Sequence, residues 1–164
     1  MKLLKDSANY NYWANEKVGS AALELDANNL NKELNSSFPT ILKTFTHLLD
    51  AEYFWMERIA GNSMSTWPEL SDDPHKEIIA RIERSKEYAD RVNSWDDDFF
   101  NEVIHYENTR GDKFGQSVQD ILFHLYTHGS KHRGQVITML RAVGLKTIPG
   151  NDYVFYLRET QKSI

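Results

Sequence analysis

The sequence has no cysteine, which excludes disulfide bonds, thiolate metal ligands and a cysteine nucleophile. It has no apolar run near the roughly 18 residues of a membrane span, and its first ten residues lack the apolar core of a signal peptide. Lysine and arginine are scattered and the net charge is −5, so the basic surface typical of nucleic-acid binding is missing. We therefore expect a cytoplasmic protein that binds neither nucleic acid nor membrane, with nitrogen and oxygen atoms as the ligands of any metal.

The length and composition fit a single domain, residues 1–164, with enough apolar residues for a sizeable core. Of the 164 residues, 40% are apolar and 26% are charged. Apolar residues recur at helical spacing in four stretches, over residues 3–25, 39–60, 74–92 and 118–143. An asparagine-rich link, residues 26–35, separates the first two helices, and a loop with Trp67-Pro68 separates the second from the third. The pattern predicts four long helices.

Capping residues and turn residues mark the ends of these helices. Ser36 and Ser37 precede Pro39 and are the candidate caps of the second helix, whereas Asp73-Pro74 begins the third. Ser117 begins the fourth helix and Gly144 ends it.

The period changes between the third and fourth helices. Residues 99–106 alternate, and Arg110-Gly111-Asp112 supplies turn residues. We expect a small hairpin or extended excursion there, and a short turn or helix where residues 149–157 fold back. The predicted fold class is all-α, an up-and-down four-helix bundle with that excursion between helices three and four.

The fourth helix carries three histidines at intervals of four residues, His124, His128 and His132. One helical turn brings residues i and i+4 to within about 5–6 Å at Cβ, so two neutral imidazoles can bind one cation. The alternative is a polar flank whose histidines only form hydrogen bonds with neighbouring elements. The spacing indicates a metal site but does not choose which two of the three histidines bind.

Helical periodicity places the histidines beside the core stripe of this helix. Five apolar residues define that stripe: Val118, Leu122, Leu125, Val136 and Leu140. On the second helix, His47 lies off the main apolar direction, next to the small residues Thr44 and Ala51. Three imidazoles, one from the second helix and two from the fourth, would leave an open coordination position, as catalytic metal sites do.

Two glycines lie within the histidine segment. Glycine inside a helix costs about 1 kcal/mol relative to alanine, so Gly129 and Gly134 suggest the close approach of a helix or a ligand. Gly129 also takes the place of the glutamate base in the zinc-protease pattern His-Glu-x-x-His, which disfavours peptide hydrolysis of that type.

Three segments resemble the DinB/YfiT-like family, whose relatives include bacillithiol- and mycothiol-dependent transferases. They are Asn11-Tyr-Trp-Ala-Asn15, His47-Leu-Leu-Asp-Ala-Glu-Tyr-Phe-Trp55, and His128 with the block His132-Arg-Gly-Gln135. The resemblance implies a four-helix bundle that holds a divalent metal through His47, His128 and His132. It also implies that His124, Gln135, Asn11, Trp13 and Asn15 lie behind these ligands, line the cleft or support the end of the bundle.

The resemblance further implies a homodimer, for which the aromatic residues Phe45, Tyr53, Phe54 and Trp55 offer a surface unless they belong to the core. The metal is expected to be zinc or nickel, with iron or manganese as alternatives. No catalytic residue is assigned. His75 and His105 are expected to be surface or packing residues.

The functional hypothesis is a metal-dependent thiol S-transferase. The metal would lower the pKa of a low-molecular-weight thiol, and the thiol would attack an electrophilic small molecule. One alternative is a non-catalytic metal-binding protein of the stress response. The other is a metal-dependent hydrolase with Glu52 or Asp50 near the metal.

Overall fold

Four long amphipathic helices form the frame of the protein. The computed structural model describes residues 1–62, 71–108 and 110–160, and within them it contains six α-helices. The four long helices are α1 (Lys2–Ala22), α3 (Ile41–Ile59), α4 (Pro74–Ser94) and α5 (Val118–Ala142). They correspond to the four predicted helices, and the all-α fold class is confirmed. The short helices are α2 (Ala27–Leu30), inside the asparagine-rich link, and α6 (Tyr153–Thr160), in the C-terminal segment.

Side-chain caps fix where the long helices begin. Asp73 accepts hydrogen bonds from the backbone of the first turn of α4, and Ser117 accepts one from Asp120 N at the start of α5. Gly144, with φ +100°, follows the last turn of α5 in the left-handed conformation that glycine tolerates. These three predictions are confirmed.

The predicted caps of the second helix, Ser36 and Ser37, are wrong. The helix begins at Ile41, and Thr40 caps it by accepting a hydrogen bond of 3.0 Å from Lys43 N. Pro39 lies before the helix, in a turn where its carbonyl accepts a hydrogen bond from Leu34 N. Thr40 is closer to the apolar stripe and has the extended backbone that a cap requires, so it takes the role instead of the serines.

The long helices form a closed circuit in which α1 and α3 each contact both α4 and α5. Their apolar stripes meet in two buried clusters, one around Phe45 and Leu140 and the other around Phe100 and Leu122. Fully burying one such side chain contributes about 1.5–3 kcal/mol. The core stripe predicted for α5 is confirmed, since all five residues are buried. On α4, Ile79 is 44% exposed and lies outside this core.

A layer of polar side chains separates the two apolar clusters. Asn11 and Asn15 of α1, Glu52 of α3, Ser85 of α4 and Arg133 of α5 are all buried at this level. We call these five residues the polar layer. Arg133 of this layer directly follows His132 in α5, so the layer lies next to one of the predicted metal ligands.

A hairpin covers the end of the bundle where α5 begins. After a 3₁₀ helix (Asp97–Asn101), β1 (Val103–Glu107) pairs antiparallel with β2 (Lys113–Ser117), so the predicted hairpin is confirmed. Tyr106 of β1 packs edge to face against Trp55 of α3, with ring centroids 5.0 Å apart. At the other side of the molecule, α6 folds back on α1, where Trp13 donates a hydrogen bond to Glu159. Among the helices described here, none is long and apolar enough to cross a membrane.

Candidate metal centre

Three histidines from two helices meet at one flank of the bundle. His47 lies on α3, and His128 and His132 lie one turn apart on α5. One potential ligand nitrogen from each of the three lies within 4.8 Å of the other two. The ring centroids are 4.3 Å apart for the α5 pair, and His47 lies 5.2 Å from His128 and 4.7 Å from His132. Such a group could hold a metal ion.

The local environment keeps these imidazoles neutral, which is the form that binds metals. Burial, with the neighbouring His132 and His47 as further causes, lowers the pKa of His128 to about 4. Burial also lowers the pKa of His47, with His132 as the next cause. For His132, burial lowers the pKa although its hydrogen bond to Gln135 acts in the opposite direction. At neutral pH, a cation would have no proton to displace from His128.

The hydrogen bonding of His132 orients its ring. Nδ1 of His132 lies 2.6 Å from Oε1 of Gln135. An amide oxygen only accepts hydrogen bonds, so Nδ1 carries the proton and Nε2 keeps its lone pair. A hydrogen-bonded partner of this kind commonly fixes the tautomer of a metal-binding histidine. Gln135 therefore lies behind His132, in the position expected of a residue that supports a ligand.

His128 has a buried ring nitrogen that the described protein atoms leave without a partner. Its Nδ1 is buried and has no hydrogen-bond partner in the described structure. A buried polar atom without a partner costs about 1–3 kcal/mol. An ion bound among the three imidazoles would give this half-buried side chain the polar partner that the protein does not provide. The donor set of three neutral nitrogens fits a borderline metal such as zinc or nickel.

Phe38, which sequence analysis did not identify, covers part of the histidine group. Its ring stacks on His47 at a centroid distance of 4.0 Å and lies 5.8 Å from His132. Phe38 belongs to the segment before α3, where no periodic pattern marks it. A cleft of about 240 Å³ opens beside it, lined by Phe38, Lys43, Thr46, His47 and Asp50. We call this the metal cleft, because His47 of the histidine group is one of the residues that line it.

His124 lies outside the group of three. Its ring centroid is 5.7 Å from that of His128, and its other neighbour is the ring of Trp55 at 5.5 Å. His124 thus packs between the histidine group and the hairpin end of α3. His75 also lies outside the histidine group, and its Nε2 is hydrogen-bonded to the carbonyl of Leu25. His105 lies on the hairpin and lines a different cleft.

The N-terminal motif contributes to the polar layer rather than to the histidine group. Nη1 of Arg133 donates to Oδ1 of Asn11 at 2.8 Å and to Oδ1 of Asn15 at 2.9 Å. Asn11 in turn donates to Glu52 at 2.9 Å, and burial raises the pKa of Glu52 to about 7. Trp13 packs away from this layer, against Tyr156 of α6. The two asparagines therefore join α1 to the helix that carries two of the histidines.

Gly129 is explained by this network. A Cβ at position 129 would lie 2.9 Å from both Nη1 of Arg133 and Oδ1 of Asn11, so the close approach expected for Gly129 is real. Gly134 differs, because a Cβ there would meet nothing within 4 Å. No other described helix comes close to Gly134, so that part of the expectation is wrong.

The two carboxylates considered as bases occupy different environments. Glu52 is buried in the polar layer and bonded to Asn11. Asp50 borders the metal cleft and forms an ion pair with Arg81, which also pairs with Glu77. Burial raises the pKa of Asp50, although Arg81 opposes this effect. Asp50 is the carboxylate that a molecule in the metal cleft would meet.

The match to known proteins agrees with this arrangement. The family model of the DinB family matches residues 1–163. The chain belongs to the DinB family. It is also 26% identical over 159 residues to "Protein DinB" of Bacillus subtilis (strain 168), a match covering 93% of this chain and 92% of that protein. The DinB match includes both helices that carry the histidine group, the N-terminal asparagine motif and the hairpin.

One part of the predicted dimer surface is wrong. Phe45 is fully buried in the core of this DinB-family bundle, so it cannot contribute to a surface. Tyr53 and Trp55 are half-buried, and Trp55 packs against Tyr106 and His124 of the same chain. The core therefore accounts for Phe45 and the hairpin for Trp55, whereas the homodimer itself stays a prediction.

Proposed function

We propose that this DinB-family protein is a divalent-metal-dependent enzyme that transfers a low-molecular-weight thiol to an electrophilic small molecule. The observation that carries the proposal is the group of three neutral imidazoles, His47, His128 and His132, placed beside an open cleft. Three protein ligands with room for a further one are typical of catalytic metal sites, whereas structural sites are usually closed by four protein ligands. The histidines would hold the ion, and zinc or nickel suits their nitrogen donors.

The bound ion would supply positive charge that lowers the pKa of a thiol in the cleft. The sulfur then forms a bond to an electrophilic carbon, and the leaving group departs with its bonding electrons. Asp50 is a suitable acceptor for the thiol proton because it borders the cleft and burial raises its pKa. Phe38 excludes water from one side of the histidines, and the absence of cysteine agrees with a nucleophile supplied by the cosubstrate.

The charge around the cleft favours an anionic cosubstrate. Lys43 lines the metal cleft and is exposed. Lys131 is also exposed and is close enough to lower the pKa of His47 and His132 electrostatically. Lys43 in the cleft and Lys131 near the histidines would attract a negatively charged thiol or electrophile, although salt screens this attraction.

The test is turnover of a chromogenic electrophile by zinc- and nickel-loaded protein with bacillithiol, coenzyme A or glutathione. We expect thiol-dependent turnover in the natural protein and in His75→Ala, and its loss in His132→Ala and after chelation. Full metal binding without turnover across the panel would refute the enzymatic proposal and support a metal-binding protein without catalysis. Turnover that needs metal but no thiol would support a hydrolase instead.

A further inference from the structure

A second cleft lies at the hairpin end of the bundle, apart from the metal cleft. It has a volume of about 430 Å³, and its wall is formed by the last turn of α3 and by β1. Arg58, His105, Tyr106 and Asn108 are among the residues that line it, and none of its residues lines the metal cleft. We call it the hairpin cleft.

Two aromatic rings hold the guanidinium of Arg58 at this cleft. Its central carbon lies 4.7 Å from the ring centroid of Trp55 and 4.8 Å from that of Tyr106. The two rings meet edge to face, with an interplanar angle of 85°, so they form a corner around the cation. A guanidinium placed on aromatic faces is attracted by their quadrupoles and loses little further freedom when it binds a ligand. Arg58 is therefore preorganised.

Among the described residues, the side chain of Arg58 donates no hydrogen bond and forms no ion pair. The nearest acidic side chains have other contacts: Glu57 pairs with Arg91 at 3.6 Å and accepts a hydrogen bond from Asn62. Glu107, which also lines the hairpin cleft, extends toward the hairpin turn, where its Oε1 lies 3.6 Å from the Cβ position of Gly111.

Comparison with other arginines shows what distinguishes Arg58. Arg84 also lies 4.8 Å from an aromatic ring, that of Tyr53, but a single ring holds it and it lines neither cleft. Arg91 lies over Tyr88 but is neutralised by Glu57. Arg58 combines two supporting rings, unused donors and an adjacent cleft.

We infer that the hairpin cleft binds the carboxylate group of a small molecule, with Arg58 as the residue that recognises it. The planar fork of a guanidinium matches the two oxygens of a carboxylate. The cleft that Arg58 lines is large enough for a small organic acid. The inference goes beyond the proposed function, because carboxylate binding at Arg58 requires neither the metal nor turnover.

The test is a titration of ¹⁵N-labelled protein with succinate, followed by the side-chain Nε–H resonance of Arg58. One bidentate contact supports a dissociation constant on the order of 1 mM. We expect a saturable shift in the natural protein, at least tenfold weaker binding in Arg58→Gln and an intermediate loss in Arg58→Lys, since lysine keeps the charge but not the fork. The matched control is Arg84→Gln, which should bind succinate like the natural protein.

Carboxylate binding at Arg58 can be tested independently of metal binding at the histidine group. Succinate binding should be unchanged in His132→Ala, whatever that variant does to metal content or turnover. The absence of a saturable shift, or equal binding in Arg58→Gln, would overturn the inference. Inorganic phosphate in a parallel titration distinguishes the anion class: tighter binding of phosphate than of succinate at Arg58 would overturn the assignment to a carboxylate.

Discussion

Replacing Gly129 by alanine tests how the polar layer supports the histidine-bearing helix. From helix propensity alone, alanine should stabilise α5 by about 1 kcal/mol, because glycine loses more backbone entropy on folding. The structure predicts the opposite sign. The new Cβ would lie 2.9 Å from Nη1 of Arg133 and from Oδ1 of Asn11, two atoms that are hydrogen-bonded to each other at 2.8 Å.

The magnitude follows from what must move. Arg133 is fully buried and Asn11 is 3% exposed, so neither side chain can move into solvent. Separating them weakens a hydrogen bond to a charged group, worth about 1.5–3 kcal/mol, and leaves a buried cation short of acceptors. After subtracting the propensity gain of about 1 kcal/mol, we expect Gly129→Ala to lower the free energy of unfolding by about 0.5–2 kcal/mol. In a chain of this length that corresponds to a decrease in Tm of roughly 1–8 °C.

The assay is urea and thermal unfolding followed by circular dichroism, with Gly134→Ala as the matched control. Position 134 lies on the same helix, is exposed, and has nothing within 4 Å of a Cβ. There the propensity term acts alone, so the control should be more stable than the natural protein by about 0.5–1 kcal/mol. Equal effects at the two positions, or stabilisation by Gly129→Ala, would refute the role assigned to the polar layer.

Three further changes have outcomes that the structure determines. Gln135→Leu removes the acceptor that orients His132, so zinc affinity measured by calorimetry should fall about 10–100-fold; unchanged affinity would show that the hydrogen bond does not orient the ring. Metal-free protein should lose stability as pH falls from about 6.5 toward 4, because the unfolded chain protonates at the ordinary histidine pKa of 6.5 whereas His128 in the folded protein protonates only near 4. With allowance for partial exposure, His128 accounts for about 2 kcal/mol of this loss. In urea unfolding, the free energy of unfolding of His128→Gln should therefore depend less steeply on pH than that of the natural protein. Equal pH dependence in the two proteins would contradict this assignment. Arg81→Met removes the cation that pairs with both Asp50 and Glu77, so the free energy of unfolding should fall by about 3–5 kcal/mol; an unchanged value in urea unfolding would argue against this cause.

The elements that the sequence predicted well are those with local signals. Helical periodicity, the caps Asp73 and Ser117, and the stop at Gly144 all act within one or two turns, and the structure confirms them. The prediction of the caps of the second helix was wrong because serine and threonine can both cap a helix, and Thr40 lies only three residues after Ser37. Only the geometry of the chain before α3 decides among them.

For the candidate site, too, local spacing predicted part of the arrangement and tertiary packing determined the rest. The i, i+4 spacing identifies two pairs of histidines on α5 but gives no reason to prefer either. Packing decides it, since Trp55 takes up one side of His124 while His47 approaches His128 and His132. The whole-chain family resemblance, now confirmed, already implied this choice, although the role of these residues as ligands stays a prediction.

The contacts of Phe38 and Arg133 could not be predicted from the sequence, for a physical reason. Phe38 lies outside any periodic element, so only the fold reveals that its ring stacks on His47. Arg133 is a charged residue that usually lies at a surface, but it is fully buried because two asparagines of α1 accept its hydrogen bonds. The hydrogen bonds of Arg133 join residues more than a hundred positions apart, which no local pattern encodes.

If His47, His128 and His132 form one metal site, the metal content of the protein should depend on all three. Elemental analysis of untagged protein after incubation with zinc or nickel, followed by dialysis, should give about one ion per chain. Alanine at any of the three histidines should reduce metal retention sharply, whereas His124→Ala and His75→Ala should retain it. Equal retention in all five variants, or its loss in His124→Ala but not in His47→Ala, would contradict the account.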